Sequence, residues 1–414
     1  MEERKTIAVI GAGAAGLMAA LAAAEAGAAV TIYEKMGRPG RKIGITGKGR
    51  CNVTHVGERE RFLKNMVGNG KFLYSAWNAL DNDALREMLR CAGVETKEER
   101  GGRVFPVSEK AADVVAAFEH TLRRLGVAFR LKTPVQELWQ EDERLCGVTL
   151  ADGRREKADA VILATGGASY PGTGSTGDGY RMAEAAGHTL TPLQPALVPL
   201  EVEEEWVKEL MGLSLRNVEA SLWVDEKCVA SEFGEMLFTH FGLSGPIILT
   251  LSRQAVMAVA AGSFVEIRVN LKPALTAEVL DKRLARDFAS LGRKKAVHCL
   301  DELLPASLRP VVLDLAFINT AKEIGQLTRE ERHRLLELLQ ALPFTVTGAR
   351  PLAEAIVTAG GVCVNEVDPR TMKSKKVEGL YLAGEVLDID GNTGGFNLQA
   401  AFSTGYLAGR SAAQ

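Results

Sequence analysis

Apolar positions along the chain follow two spacings, and the alternation between them predicts the elements. Thr6 to Ile10 is a short unbroken apolar run, the pattern of a strand buried on both faces. Ala14 to Ala26 is rich in Ala, Leu and Met and stops at Gly27, which predicts a helix with a glycine end. Ala29 to Tyr33 is a second buried strand, closed by Glu34, so the chain opens with a βαβ unit. Residues 37–50 carry no apolar period and read as a loop.

Further on, Leu80 to Ala92 and Ala111 to Leu125 have helical spacing, and Val127 to Leu131 is strand-like. Val135 to Trp139 and Leu145 to Leu150 form a hairpin pair, with Asp152-Gly153 as a turn. Ala160 to Ala164 is again a buried strand. After Pro192 the texture changes: residues 197–270 read mostly as short β runs, ending with Val265 to Leu271. Helical spacing then takes over in Glu278–Phe288, Val297–Leu304, Leu308–Ile318 and Arg329–Leu339, followed by strand-like Phe344 to Val346. The C-terminus returns to the opening texture, with Leu380 to Ala383 as a strand, Gly384 to Gly395 as a glycine-rich loop and Asn397 to Arg410 as a helix. This order predicts an α/β domain of Rossmann type, with a parallel sheet, built from both ends of the chain (1–191 and 350–414). A β-rich, barrel-like insert (192–273 and 342–349) and a small helical domain (274–341) interrupt it.

Composition sharpens this outline. The 414 residues are 46% hydrophobic and 25% charged, with a formal net charge of −2, which excludes a disordered chain and a uniformly basic nucleic-acid binder. Glycine is over-used, at 42 residues, and the excess lies in a few clusters. The six cysteines (Cys51, Cys91, Cys146, Cys228, Cys299, Cys363) show neither C-x-x-C nor zinc spacing and read as reduced thiols. The Ala-rich run ending at Val30 is too short to span a bilayer, so neither signal peptide nor membrane anchor is expected and a cytoplasmic location follows.

The first glycine cluster carries the chemistry. Gly11-Ala-Gly13-Ala14-Ala15-Gly16 sits between a strand and a helix, the context that makes this pattern a dinucleotide fingerprint. Gly11 permits the tight turn, Gly13 lets backbone approach a pyrophosphate, and Gly16 lets helix and strand pack closely. Glu34 follows twenty-three residues after Gly11, placed to accept from a ribose 2′-hydroxyl and to repel a 2′-phosphate. A second match, Gly172 to Gly177, starts eight residues beyond its strand and lacks the elbow. One dinucleotide site without a second favours a resident FAD, with NAD(P)H visiting only as a transient electron donor.

Several stretches together resemble one known family: Gly11–Gly16, Gly37–Lys42, Thr46–Asn52, Ala164–Ala168, Thr176–Tyr180, Phe238–Pro246, Ala383–Glu385 and Asp390–Asn397. They resemble the BaiN/RdsA family of NAD(P)/FAD-dependent oxidoreductases, also called aminoacetone oxidase-like, over nearly the whole chain. The resemblance implies a glutathione-reductase-like FAD-binding domain with a β-rich insert and a small helical domain. It also implies one of three activities: reduction of a conjugated C=C in bile-acid intermediates, formation of dihydrouridine in large-subunit ribosomal RNA, or oxidation of aminoacetone. By the same resemblance, Thr46, Gly47, Arg50, Cys51 and Asn52 lie against the flavin and its diphosphate. Val135 offers its backbone to adenine, while Thr165, Gly166 and Gly167 pass close to the dinucleotide. Gly384 and Glu385 contact the ribityl–phosphate stretch, and Gly395, Phe396, Asn397 and Leu398 meet the pyrimidine edge.

Lys35, Arg38, Arg41, Lys42, Lys48 and Arg50 form a run without an acid. Lys35, Arg41 and Lys42 are assigned to FAD phosphate neutralisation, and the same face could receive an anionic substrate such as RNA. Arg370, Lys373, Lys375 and Lys376 form a second basic patch, and Arg283, Arg286, Arg293, Lys294 and Lys295 a third. Cys51 and His240 are the candidate proton donors, each with a packing role as the alternative; Asp178 reads as a helix N-cap and Tyr170 has no assigned role. The favoured activity is NAD(P)H-driven reduction of a C=C conjugated to a carbonyl, with uridine of ribosomal RNA as candidate substrate. An amino-ketone oxidase and a non-enzymatic flavin-containing RNA- or ribosome-associated protein are the alternatives.

Overall fold

The computed structural model describes residues 4–141 and 144–414, which form two compact units. The first comprises Met1–Ala196 and Leu352–Gln414, so both ends of the chain build it. Its centre is a five-stranded parallel sheet in the order Leu380–Leu382, Ala160–Leu163, Thr6–Ile10, Ala29–Glu34, Ala128–Leu131. Ile7 pairs with both Ala160 and Val30. Val9, Ile32 and Ile162 are fully buried, as continuous apolar strands in a covered parallel sheet should be.

Helix Ala14–Glu25 is buried around nearly its whole circumference because helix Phe396–Ala413 covers the face turned away from the sheet. The two approach backbone to backbone. A Cβ added at Gly405 would lie 2.3 Å from the Ala15 carbonyl oxygen, and one at Gly409 2.1 Å from that of Ala19. The Ala-rich and Gly-x-x-x-Gly stretches are therefore the two sides of one contact.

Antiparallel Leu190–Ala196 and Val357–Val362 form a further two-stranded sheet, and Thr54–His55, Arg103–Pro106 and Thr96–Glu99 a three-stranded one. The hairpin pair is Val135–Glu141 and Arg144–Leu150, with Asp152-Gly153 leading into a third strand, Arg155–Lys157.

The second unit, Leu197–Pro351, is a closed six-stranded antiparallel barrel. Its strands, in order around the wall, are Leu200–Val202, Gly242–Ser244, Lys227–Phe238, Ser214–Val224, Val265–Asn270 and Leu342–Ala349. Phe238, Phe344 and Ile267 are fully buried in its core. Helices Ala277–Leu291, Leu308–Leu315 and Arg329–Gln340 share that core through Leu284, Val312 and Leu335.

Four local expectations need correction. Helix Pro246–Ala260 lies within the stretch read as β: Pro246 opens it at the first turn, and the run from Ile247 to Leu251 has no polar period because one face packs on barrel strands. Residues 37–50 are not all loop, since Arg41–Ile45 is a short helix started by left-handed Gly40. Val297–Leu304 is only a single turn, Ala296–His298, before irregular chain. Finally, Gly177 rather than Asp178 is the N-cap of helix Asp178–Ala185.

Candidate functional site

The first unit gathers most of the sequence-predicted residues at one end of its parallel sheet. Gly11, at φ +101°, turns the chain out of the first strand, and a Cβ there would sit 2.6 Å from the Ala164 carbonyl, just before Thr165. A Cβ at Gly16 would lie 1.9 Å from the Gly11 carbonyl, so glycine is required for the helix to start so close to the strand. Gly13 differs: a Cβ there meets nothing within 4 Å, although the position stands at the mouth of a buried helix. No side chain caps that helix, and its first-turn N–H groups, which include those of Ala14, Ala15 and Gly16, have no partner within the helix.

Glu34 closes the second strand with both carboxylate oxygens aimed at backbone. Oε2 accepts from Ala12 N at 2.8 Å and Oε1 from Met36 N at 2.7 Å. Each oxygen keeps a further lone pair for a ligand hydroxyl. The Thr133 amide bonds the Glu34 carbonyl at 3.0 Å, and Val135, two residues on, enters the hairpin sheet opposite Leu150. Lys35 donates to Thr176 and Asp178, and Asp178 also pairs with Arg181. The second glycine run is thus no fingerprint, yet it is tied to the end of the second strand, a connection its spacing does not reveal.

Lys42, on the helix begun by Arg41, donates to Ser169 Oγ at 2.9 Å and pairs with Glu385 Oε2 at 3.2 Å. The other Glu385 oxygen accepts from Thr358 N at 2.8 Å and Ser169 Oγ at 3.2 Å. Beside it, Gly166 is left-handed, and a Cβ at Gly167 would strike Thr358 and the Glu385 carboxylate. Ser169 and Thr358 are members of this cluster that the motifs did not single out. Gly384 donates from its backbone to Thr404 Oγ1 at 3.0 Å, and its absent side chain leaves room for Ala15.

Thr46–Asn52 forms a run of left-handed turns: Gly47, Lys48, Gly49 and Cys51 all have positive φ. Such a run turns successive amides inward. Thr46 Oγ1 donates to Ile43 O at 2.7 Å. Cys51 has no exposed surface, and burial pushes its thiol up to about 12 despite a bond to Thr46, so it stays protonated at neutral pH. Arg50 pairs with Glu99 and Glu109 and lies over the Phe105 ring. The Asn52 side-chain oxygen is buried with no hydrogen-bond partner.

The segment then runs past the second uncapped helix. A Cβ at Gly395 would lie 2.5 Å from the Thr54 carbonyl, so Gly395, at φ +98°, starts helix Phe396–Ala413 directly against the strand after Asn52. The Asn397 side chain bonds both N–H and C=O of Gly391, each at 2.8 Å, and clamps the preceding loop rather than capping the helix. The N–H groups of Phe396, Asn397 and Leu398 therefore remain available. The His55 ring stacks on Phe396 at 4.6 Å; burial lowers its pKa, and its Nδ1 bonds the Val56 carbonyl at 2.6 Å.

Two uncapped helix N-termini, an orphaned buried amide oxygen and an open space at Gly13 fit an extended dinucleotide. The first terminus would supply N–H groups and partial positive charge to a diphosphate, and the second would do so for a ring edge.

The chain matches the model described as the HI0933-like protein Rossmann domain over residues 5–411. It belongs to the HI0933-like family. Related sequences include the 3-dehydro-bile acid delta(4,6)-reductase of Clostridium scindens, 34% identical over 99% of both chains. The ribosomal RNA dihydrouridine synthase of Escherichia coli is 31% identical over 98% of this chain and 97% of its own length. Among solved structures, 3-ketosteroid delta1-dehydrogenase from Sterolibacterium denitrificans shares the fold at 14% identity, with a TM-score of 0.55 over 99% of each chain. This HI0933-like chain is thus a flavoprotein oxidoreductase of Rossmann type.

His240 belongs to the other unit. It is exposed, in the turn between strands Lys227–Phe238 and Gly242–Ser244, edge-on to Phe241. The six cysteines are all free thiols, and among the described residues no helix is long and apolar enough to cross a membrane.

Proposed function

We propose that this HI0933-like protein uses electrons from a visiting NAD(P)H to reduce a C=C bond conjugated to a carbonyl, with uridine of large-subunit ribosomal RNA as the substrate. The observation that carries the reading is the match over almost the entire chain to relatives named for hydrogenating a carbon–carbon double bond, a bile-acid delta(4,6) system in one and uracil in the other. Bound FAD would supply the hydride.

The chain's own residues have distinct tasks in this scheme. Gly13 and the N–H groups of Ala14 to Gly16 bind the diphosphate, with Lys42 and Arg41 adding charge, while Glu34 accepts from the adenosine ribose. The N-terminus of helix Phe396–Ala413 stabilises negative charge at the pyrimidine edge, and the Asn52 oxygen gains its missing donor there. His240 is proposed to protonate, as a general acid, the carbon next to the one that receives hydride. Cys51, sealed from solvent with its thiol held protonated, packs beneath the cofactor.

The test is anaerobic. Purified protein should be yellow, bleach with NADH or NADPH, and regain colour with a uridine-containing RNA fragment that becomes heavier by two hydrogens. In a separate aerated assay, rapid oxygen consumption with an amino-ketone, without NAD(P)H oxidation, would refute the reading.

A further inference from the structure

One residue of the second unit breaks two rules at once. Helix Leu308–Leu315 ends in a Schellman motif, with Phe317 N bonding Asp314 O at 2.8 Å and Ile318 N bonding Leu313 O at 2.9 Å. The left-handed position of that motif normally holds glycine, yet here it holds Phe317, at φ +55°. Ile318 is buried as the motif requires, whereas the Phe317 ring is 83% exposed, the most exposed of the large apolar side chains among the described residues. A strained backbone and an unburied aromatic ring together bring the fold no return, and such residues cluster where something is recognised.

The neighbourhood supplies the recognising chemistry. Three residues past Phe317, the chain pairs with the segment after helix Ala277–Leu291. Val297 N bonds Thr320 O, Ala296 N bonds Lys322 O, Ile324 N bonds Lys294 O and Gly325 N bonds Gly292 O. That segment carries Arg293, Lys294 and Lys295, all exposed, and none has an acidic partner among the described residues. Three residues of chain reach at most about 11 Å, so Phe317 stands at the near end of the same ladder whose other strand carries the cations. Glu323, opposite Lys295, is the acid on this ladder; Lys322 is occupied by Glu331.

We propose that Phe317 and the Arg293-Lys294-Lys295 run form a docking surface for single-stranded RNA, an inference that rests on the RNA reading of the substrate. A base stacks on the exposed ring, and flanking phosphates meet the three unpaired cations. A flat ring beside unpaired positive charge suits single strands, whose bases are free to stack, better than a duplex, whose bases are already stacked.

The test uses the full-length FAD-loaded protein and a fluorescein-labelled, uridine-containing single-stranded RNA, with anisotropy read over a salt series. Phe317→Gly is the decisive variant, since glycine suits the left-handed position and should leave thermal stability unchanged or raised. It should weaken RNA binding about tenfold. Reversing the three cations (R293E, K294E, K295E) should lower the slope of log affinity against log salt by about 2. Wild-type protein that ignores the RNA, prefers a duplex, or binds as tightly with Phe317→Gly overturns the surface. Dihydrouridine formed equally by wild type and both variants also overturns it while leaving the proposed reaction intact. RNA binding lost in the variants of an enzyme that makes no dihydrouridine supports the surface and removes the reaction.

Discussion

Gly409→Ala sets two physical effects of opposite sign against each other. In an exposed helix interior, replacing glycine by alanine stabilises by about 1 kcal/mol. At Gly409 the new methyl would stand 2.1 Å from the Ala19 carbonyl oxygen, with the Ala19 carbonyl carbon and Cα at 2.9 and 3.0 Å. All three atoms belong to backbone, so no side chain can rotate aside. The helices must separate by roughly 1.3 Å to restore an ordinary 3.4 Å contact. Overpacking of this kind costs about 1–3 kcal/mol, which outweighs the propensity gain. The displaced helix also carries the N-terminus proposed to bind the diphosphate, so FAD affinity should fall with stability. Thermal unfolding with and without added FAD measures both. Gly409→Ala should melt below wild type, and added FAD should recover less of its stability. A variant that melts higher, as propensity alone demands, would refute the close helix crossing.

Glu34→Gln removes the carboxylate assigned to the ribose and keeps an acceptor for only one of the Ala12 and Met36 amides; FAD titration of the apoprotein should show affinity down roughly 10- to 100-fold, and unchanged affinity would remove Glu34 from the site. His240→Gln should slow substrate reduction a hundredfold or more while flavin bleaching by NAD(P)H keeps its wild-type rate, whereas Cys51→Ala should slow turnover by less than about tenfold; the reverse ranking would move the proton donor to Cys51. Acid should destabilise the first unit through His188 and Glu366. Burial lowers the His188 pKa from its usual 6.5, so the unfolded chain takes up that proton first and stability drains away as pH falls below 6.5. Burial opposes the charged form of Glu366, but Lys376 and Thr189 hold its carboxyl down to about 2, so a second loss follows below pH 4.5. In His188→Gln the first decline in melting temperature should flatten, and a curve parallel to wild type would refute the assignment.

What the sequence disclosed follows from how local each determinant is. The βαβ unit is written in consecutive residues, and strand Thr6–Ile10 falls where the apolar run predicts it. The first fingerprint is equally local, since three glycines and an acid each answer a backbone need within thirty residues. Helix Pro246–Ala260 was hidden because Ile247, Ile248, Leu249 and Leu251 crowd its first turns as a strand would, and only the barrel decides which face is buried. The link from Lys35 to Asp178 spans 143 residues and the pair Lys42–Glu385 spans 343, so neither leaves a trace in spacing. Gly405 and Gly409 gave no signal either, because the residues they accommodate lie at the opposite end of the chain.

Satisfaction of polar groups separates chemistry from support in this protein. Ser374, His188 and Glu366 have the connectivity of a nucleophilic triad: Ser374 Oγ lies 2.8 Å from His188 Nε2, and His188 Nδ1 lies 3.1 Å from Glu366 Oε2. Yet Ser374 is buried, and its oxygen already accepts from the amides of Lys376 at 3.1 Å and Val377 at 3.0 Å. With its proton turned to the imidazole and both lone pairs filled, that oxygen has nothing left with which to attack. Glu366 is equally occupied, by both donors of Thr189 and by Lys376. The array fastens the loop from Lys373 to Gly379 to the chain at His188. At the other end of the scale stand Asn52 and the two helix mouths at Gly13 and Gly395, where donors and an acceptor are directed at no protein group. Leaving such groups unmatched in a folded interior costs about 1–3 kcal/mol each, a cost that the proposed ligand would offset at this site.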